Sequence, residues 1–167
     1  MLSIGCAPGA LNPGPGDSQA ASREEAEMAT TGDQEIAAIL AGKDEDGDQA
    51  VPVDEFFAKL GNGYMIWKGE VDWFKKLAAE AKAAGAPAMH AVVSEGFGAG
   101  TGVCAQYIIT LPAEKESRAK VIEAYNNFWR SGWEQLSGEE RKIAEEEFQS
   151  ELAKDVGQKY LMLSYDP

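Results

Sequence analysis

Six carboxylates crowd one short stretch of this chain, among them Asp44, Asp46 and Asp48 at alternate positions and Glu55 shortly after them. Oxygen donors spaced by two residues on a tightly curled loop can converge on a hard cation. His90 is the only histidine, so it is the one side chain suited to acid–base work near neutral pH, and no histidine-rich metal cluster can form around it. Cys6 and Cys104 show neither zinc spacing nor a disulfide framework and read as reduced thiols. The glycine-rich run Gly96–Gly102 would present backbone N–H groups to an anion. A strand-like segment follows it in place of a helix, and no Gly-Lys-Ser/Thr ending is present, so it reads as a hairpin loop.

In full the acidic stretch is Asp44-Glu45-Asp46-Gly47-Asp48-Gln49-Ala50-Val51-Pro52-Val53-Asp54-Glu55. It resembles the calcium-binding loop of the EF-hand family. The resemblance implies a calcium ion held by Asp44, Asp46 and Asp48, by the backbone carbonyl of Ala50, and by a bidentate Glu55 in the first turn of the exiting helix. It also implies that Val51 makes the short backbone pairing that such loops form with a neighbouring loop, and that Phe56 and Leu60 face the helix pair. Two positions depart from the family pattern. Gln49 stands where the family keeps a glycine for the sharp turn, and Pro52 stands where a side chain would hold a water ligand, so weakened affinity is expected. Moving the frame to place Gly47 at the glycine position would leave Gly42 and Val53 as the end ligands, which removes both. No second Asp-x-Asp-x-Asp pattern with a closing Glu occurs in the chain. The partner loop is therefore expected from a second copy, another polypeptide or a degenerate element.

The elements that must position these residues follow from periodicity. Thr31, with Gln34 three residues on, has capping-box spacing for a helix that carries Ile36, Ile39 and Leu40 on one face and stops at Gly42. A second helix is expected from Val53 to Leu60, ended by Gly61-Asn62-Gly63. Tyr64–Trp67 reads as a short strand, 71–84 as a helix closed by Gly85, and 88–95 with 103–111 as a hairpin. Pro112 suits the first turn of a helix bearing Val121, Ile122, Tyr125, Phe128 and Trp129 and ending at Gly132. Ser137 and Glu140 suit the start of another that ends at Gly157, and 159–165 reads as a last strand.

Merging the two consecutive helices gives the order βαββαβ. The fold class expected is thus α+β: an EF-hand-like helix-loop-helix at 31–62, then a ferredoxin-like antiparallel sheet with helices on one face at 63–167. Residues 1–30, rich in Gly, Pro, Ser, Ala and Glu without periodicity, read as a disordered tail in which Met28 is itself a possible start. On the proposed sheet, His90 shares a face with Val92 and Ser94. There His90, Cys104, Gln106, Tyr107, Tyr160 and Ser164 are candidates for a pocket.

The 167 residues carry a formal net charge of −13 and no basic run, which disfavours a nucleic-acid or anionic-membrane partner. No apolar stretch is long enough to span a bilayer, and the first ten residues lack the features of a signal peptide, so an intracellular, cytoplasmic protein is expected. The aromatic residues, including Trp67, Trp73, Trp129 and Trp133, read chiefly as core. Three functional expectations result. The first is a non-catalytic calcium-binding protein whose loop regulates or stabilises an interaction domain, with a protein partner or a homodimer. The second is a small-ligand-binding protein or enzyme of the dimeric α+β barrel type with a pocket near His90. The third is an accessory subunit of a larger complex.

Overall fold

The computed structural model describes residues 27–28, 31–42, 47–66, 71–95, 102–134 and 136–164. The expected tail, apart from Glu27 and Met28, lies outside these residues, as do Asp44, Asp46, Trp67, 96–101 and Tyr165.

Residues 31–40 form helix α1, which ends at Gly42 in the left-handed conformation (φ 63°) that glycine adopts without steric cost. Thr31 does not cap it. Its hydroxyl donates to the carbonyl of Glu27, 3.2 Å away and four residues back, as a residue inside a helical turn does. Strand β1 (Gln49–Pro52) runs directly into helix α2 (Val53–Ala58), which is shorter than the expected Val53–Leu60. Strand β2 (Tyr64–Ile66), helix α3 (Val71–Ala83) and the hairpin β3 (Ala88–Glu95) and β4 (Gly102–Thr110) fall where the periodicity places them.

Helix α4 spans Lys115–Glu134, so Pro112 lies ahead of its first turn and Gly132 does not end it. The Glu114 carboxylate takes the capping role, accepting the N–H groups of Glu116 (2.8 Å) and Ser117 (2.6 Å). Helix α5 (Gly138–Phe148) follows Ser137, whose side chain makes no capping bond, and gives way to a 3-10 turn at Gln149–Glu151, well short of Gly157. Strand β5 (Tyr160–Ser164) closes the sheet.

The sheet is mixed. β1 pairs antiparallel with β3, β3 with β4, and β4 with β5, whereas β2 runs parallel to β4. This corrects the expected antiparallel ferredoxin-like arrangement. The strands joined by α3, namely β2 and β3, run in opposite directions, while a split βαβ unit requires them parallel. β2 is also only three residues long and covers Gly102–Cys104 alone, which leaves the same edge of β4 from Gln106 to Thr110 free for β5.

Two apolar clusters flank the sheet. The larger gathers Phe56, Phe74, Leu77, Tyr107, Val121, Tyr125, Trp129 and Leu163 between the sheet and α2, α3, α4 and α5. The smaller joins Ile36 and Ile39 of α1 to Val92 and Ile108 on the opposite face. The helices of 63–167, namely α3, α4 and α5, therefore share one face, as expected for that segment, while α1 from the preceding segment covers the other. Trp129 is core, but Trp73 is 43% exposed. The stretch after the 3-10 turn is tied to α4 by the buried Asn126, whose amide nitrogen donates to the Ala153 carbonyl (3.0 Å) and whose oxygen accepts the Ala153 N–H (2.7 Å). Arg118 clamps the same stretch through Asp155 (2.7 Å) and the carbonyl of Gln158. No helix among the described residues is long and apolar enough to cross a membrane.

Candidate metal centre

The described part of the acidic stretch, from Gly47, folds as a strand and a helix start. Gly47 takes φ 80°, while no non-glycine residue among the described ones, Gln49 included, has a positive φ. The positive φ that the resemblance implies at Gln49 is not found there, and Gly47, two residues earlier, adopts one without steric cost. From Gln49 the backbone is extended and pairs with β3, Val51 facing Ala91. The partner that the resemblance implied for Val51 is supplied here from within the chain. Pro52, which fixes its own φ and donates no N–H, precedes α2 at the N-cap position with φ −51°.

Glu55 stands in the first turn of α2, as expected. Its carboxylate accepts from Lys59 Nζ at 2.6 Å, one turn along the helix, and both side chains are about half exposed. The hydrogen bond to Glu55, and then its charge, raise the Lys59 pKa above the ordinary lysine value. At the other end of β1, Asp48 Oδ1 accepts from Ser94 Oγ at 2.5 Å. Asp48, bonded to Ser94 of β3, and Glu55, on the helix that buries Phe56, thus lie on either side of β1 along the chain. Asp44 and Asp46 lie outside the described residues. Among the described residues, no three His, Cys, Asp or Glu side chains form a group that could hold a metal ion. The described donors are carboxylate oxygens, which suit a hard cation, and Lys59 is the cation a metal would have to displace from Glu55.

The two helices flanking the loop do not face one another. Phe56 is fully buried in the large core, stacked on Tyr64 with ring centroids 5.4 Å apart, while the apolar side of α1 contacts the opposite face of the sheet. The expectation that Phe56 would face a helix pair is corrected accordingly, because β1 carries the chain through the sheet edge between the two helices.

The candidate pocket residues divide between the two faces. His90 lies opposite Ile108, and Gln106 opposite both Val92 and Ser164, which places them with Tyr160 on the side covered by α1. Cys104 and Tyr107 belong to the other side, inside the large core. The cause is a β-bulge: Val92 pairs with Gln106 but Val93 with Cys104, so Ala105 is an extra residue that turns Cys104 to the face opposite Gln106. Burial raises the Cys104 thiol to about 11, which leaves it protonated and unreactive at neutral pH. His90 lines a cavity of about 370 Å³ at the end of the sheet, with Pro52, Asp54, Lys82 and Met89 among its walls, and none of Cys104, Gln106, Tyr107 or Tyr160 reaches it. Burial holds the His90 pKa below its ordinary value, and its Nδ1 is buried with no hydrogen-bond partner among the described residues.

Lys59 and Ser94 were not singled out from the sequence. The spacing of Glu55 and Lys59 on one helix face does announce their pairing. The meeting of Asp48 with Ser94, 46 residues apart, carries no local signal. Comparison with family models, with curated proteins and with solved structures finds no match for this chain.

Proposed function

We propose that the acidic loop binds one calcium ion and so steadies or regulates the α+β domain built around the sheet. The observation that supports this reading most is the placement of Asp48 just before β1, bonded to Ser94, and of Glu55 in the first turn of α2 just after it. Asp44, Asp46, Asp48, the Ala50 carbonyl and Glu55 would supply the ligands, with the ion taking the place of Lys59 beside Glu55. Bound there, calcium would join the end of α1 to the first turn of α2, and it would withdraw charge from a strongly acidic molecule. Calorimetric titration of metal-free protein, with magnesium as competitor, tests the reading. One calcium site is expected, and it is lost in the Asp48→Ala, Glu55→Ala double variant. Absence of heat at millimolar calcium at two temperatures would overturn it.

A second reading, a small-ligand pocket beside His90, is favoured by the cavity of about 370 Å³ and its mixed lining of apolar residues with Asp54, Lys82 and His90. It predicts that compounds from a library of small organic acids and amines shift the His90 ring resonances. If every compound leaves those resonances unmoved, this second reading fails.

A further inference from the structure

The two faces of the sheet are covered very unequally. On one side, twenty buried residues from α2, α3, α4, α5 and the strands form a continuous core. On the other, α1 contributes two buried residues, Ile36 and Ile39, against Val92 and Ile108, with Leu40, Ala50, Tyr160 and Met162 partly buried around them. One polar latch supplements this contact. The Asp33 carboxylate accepts the backbone N–H of Lys159 at 2.8 and 2.9 Å and that of Tyr160 at 3.3 Å, where β5 begins. The latch is solvent-accessible at Lys159, and most helical stability in water comes from packing of an apolar face, so α1 depends on its docking. Gly42 (φ 63°) ends the helix, and Gly47 (φ 80°) precedes the run into β1, which places a glycine capable of backbone rearrangement at the end of α1 and another ahead of β1.

We propose that α1 is a releasable strap: it lifts from the sheet as a unit, with β3, β4, β5 and the large core still folded, and its release uncovers the apolar face formed by Val92, Ile108, Tyr160 and Met162. The geometry provides a two-state element in which, among the described residues, few buried contacts and one carboxylate latch hold a helix on the sheet. The strap goes beyond the calcium reading and does not depend on it, since the latch and the apolar contacts involve no residue of the acidic loop except Ala50.

Native-state hydrogen exchange of the full chain, read at single amides while guanidinium is raised below the unfolding transition, tests this. In the unaltered protein the amides of residues 36–41 should exchange through an opening at least about tenfold more populated than the one that releases Ile108 and Ile109, with little dependence on denaturant. Asp33→Ala should speed α1 exchange by roughly a further tenfold while β4 exchange stays unchanged. Convergence of the α1 and β4 amides on one opening in the unaltered protein overturns the proposal, as does an Asp33→Ala variant that accelerates both equally.

Discussion

Glu55 already has a cation in Lys59, 2.6 Å away, so any metal ligand role for this carboxylate begins with a competition. The pair is exposed, and such pairs are worth about 0.2–1 kcal/mol, so Lys59→Ala should tighten calcium binding by only a few fold. A calorimetric titration of that variant measures the change, and unaltered affinity would place Glu55 outside the ligand set. His90 sets up a different residue-scale effect. Its folded-state pKa lies below the ordinary value of 6.5 because of burial, so the unfolded chain takes up a proton first as pH falls. Stability is therefore complete above the ordinary value and declines as pH drops below it toward the depressed folded value. Urea unfolding between about pH 7.5 and 5.5 should show an acid-side loss that is smaller in His90→Gln. Gly102 is constrained by space: a Cβ there would sit 2.2 Å from Val93 Cγ1 and 2.9 Å from Tyr64 Cδ1, where β2 and β3 both meet β4. Gly102→Ala should cost about 1–3 kcal/mol, and a double-mutant cycle with Val93→Ala should recover part of it.

At the scale of elements, the decisive feature is how the segment between α5 and β5 is held. It has no secondary structure of its own beyond one 3-10 turn, so its backbone groups need other partners. Asn126 supplies two of them at Ala153, using its side-chain amide as a strand neighbour would use its backbone. Tyr125, one residue earlier on α4, donates its hydroxyl to the Met162 carbonyl at 3.0 Å. Helix α4 thus sets where β5 begins and how it meets β4. Asn126→Ala leaves a part-buried donor and acceptor at Ala153 without their partner and should cost about 1–2 kcal/mol in urea unfolding. Loss of well under that amount would show that water replaces the amide, and that the segment is held chiefly by Arg118.

For the whole molecule, the formal charge of −13 sets self-repulsion against a set of mostly exposed ion pairs such as Lys59–Glu55, Lys120–Glu116 and Arg141–Glu145. Exposed pairs are individually worth about 0–1 kcal/mol and are screened by the same salt that screens the repulsion. The excess of like charge should win. The thermal midpoint of metal-free protein is expected to rise as sodium chloride increases from about 0.02 to about 0.3 M, since the Debye length then falls below the spacing of surface carboxylates. A falling midpoint would show that specific pairs, above all the mostly buried Arg118 with Asp155, outweigh the net charge.

What the sequence determined by itself was the existence of most elements. Apolar spacing in α1, α3 and α4 and alternation in β3 and β4 are local properties, and so is the placement of Glu55 in a helical first turn. The tertiary structure decided everything that depends on what lies across the sheet. Strand direction is not encoded in a strand of three residues, so the parallel pairing of β2 with β4 could not be read locally. The bulge at Ala105 reverses the facing of Cys104 relative to Gln106, a change that an alternating pattern cannot register. The partner of β1 carries no recognisable signal in the sequence, yet β3 provides it, because an edge strand pairs with whichever backbone the fold brings alongside.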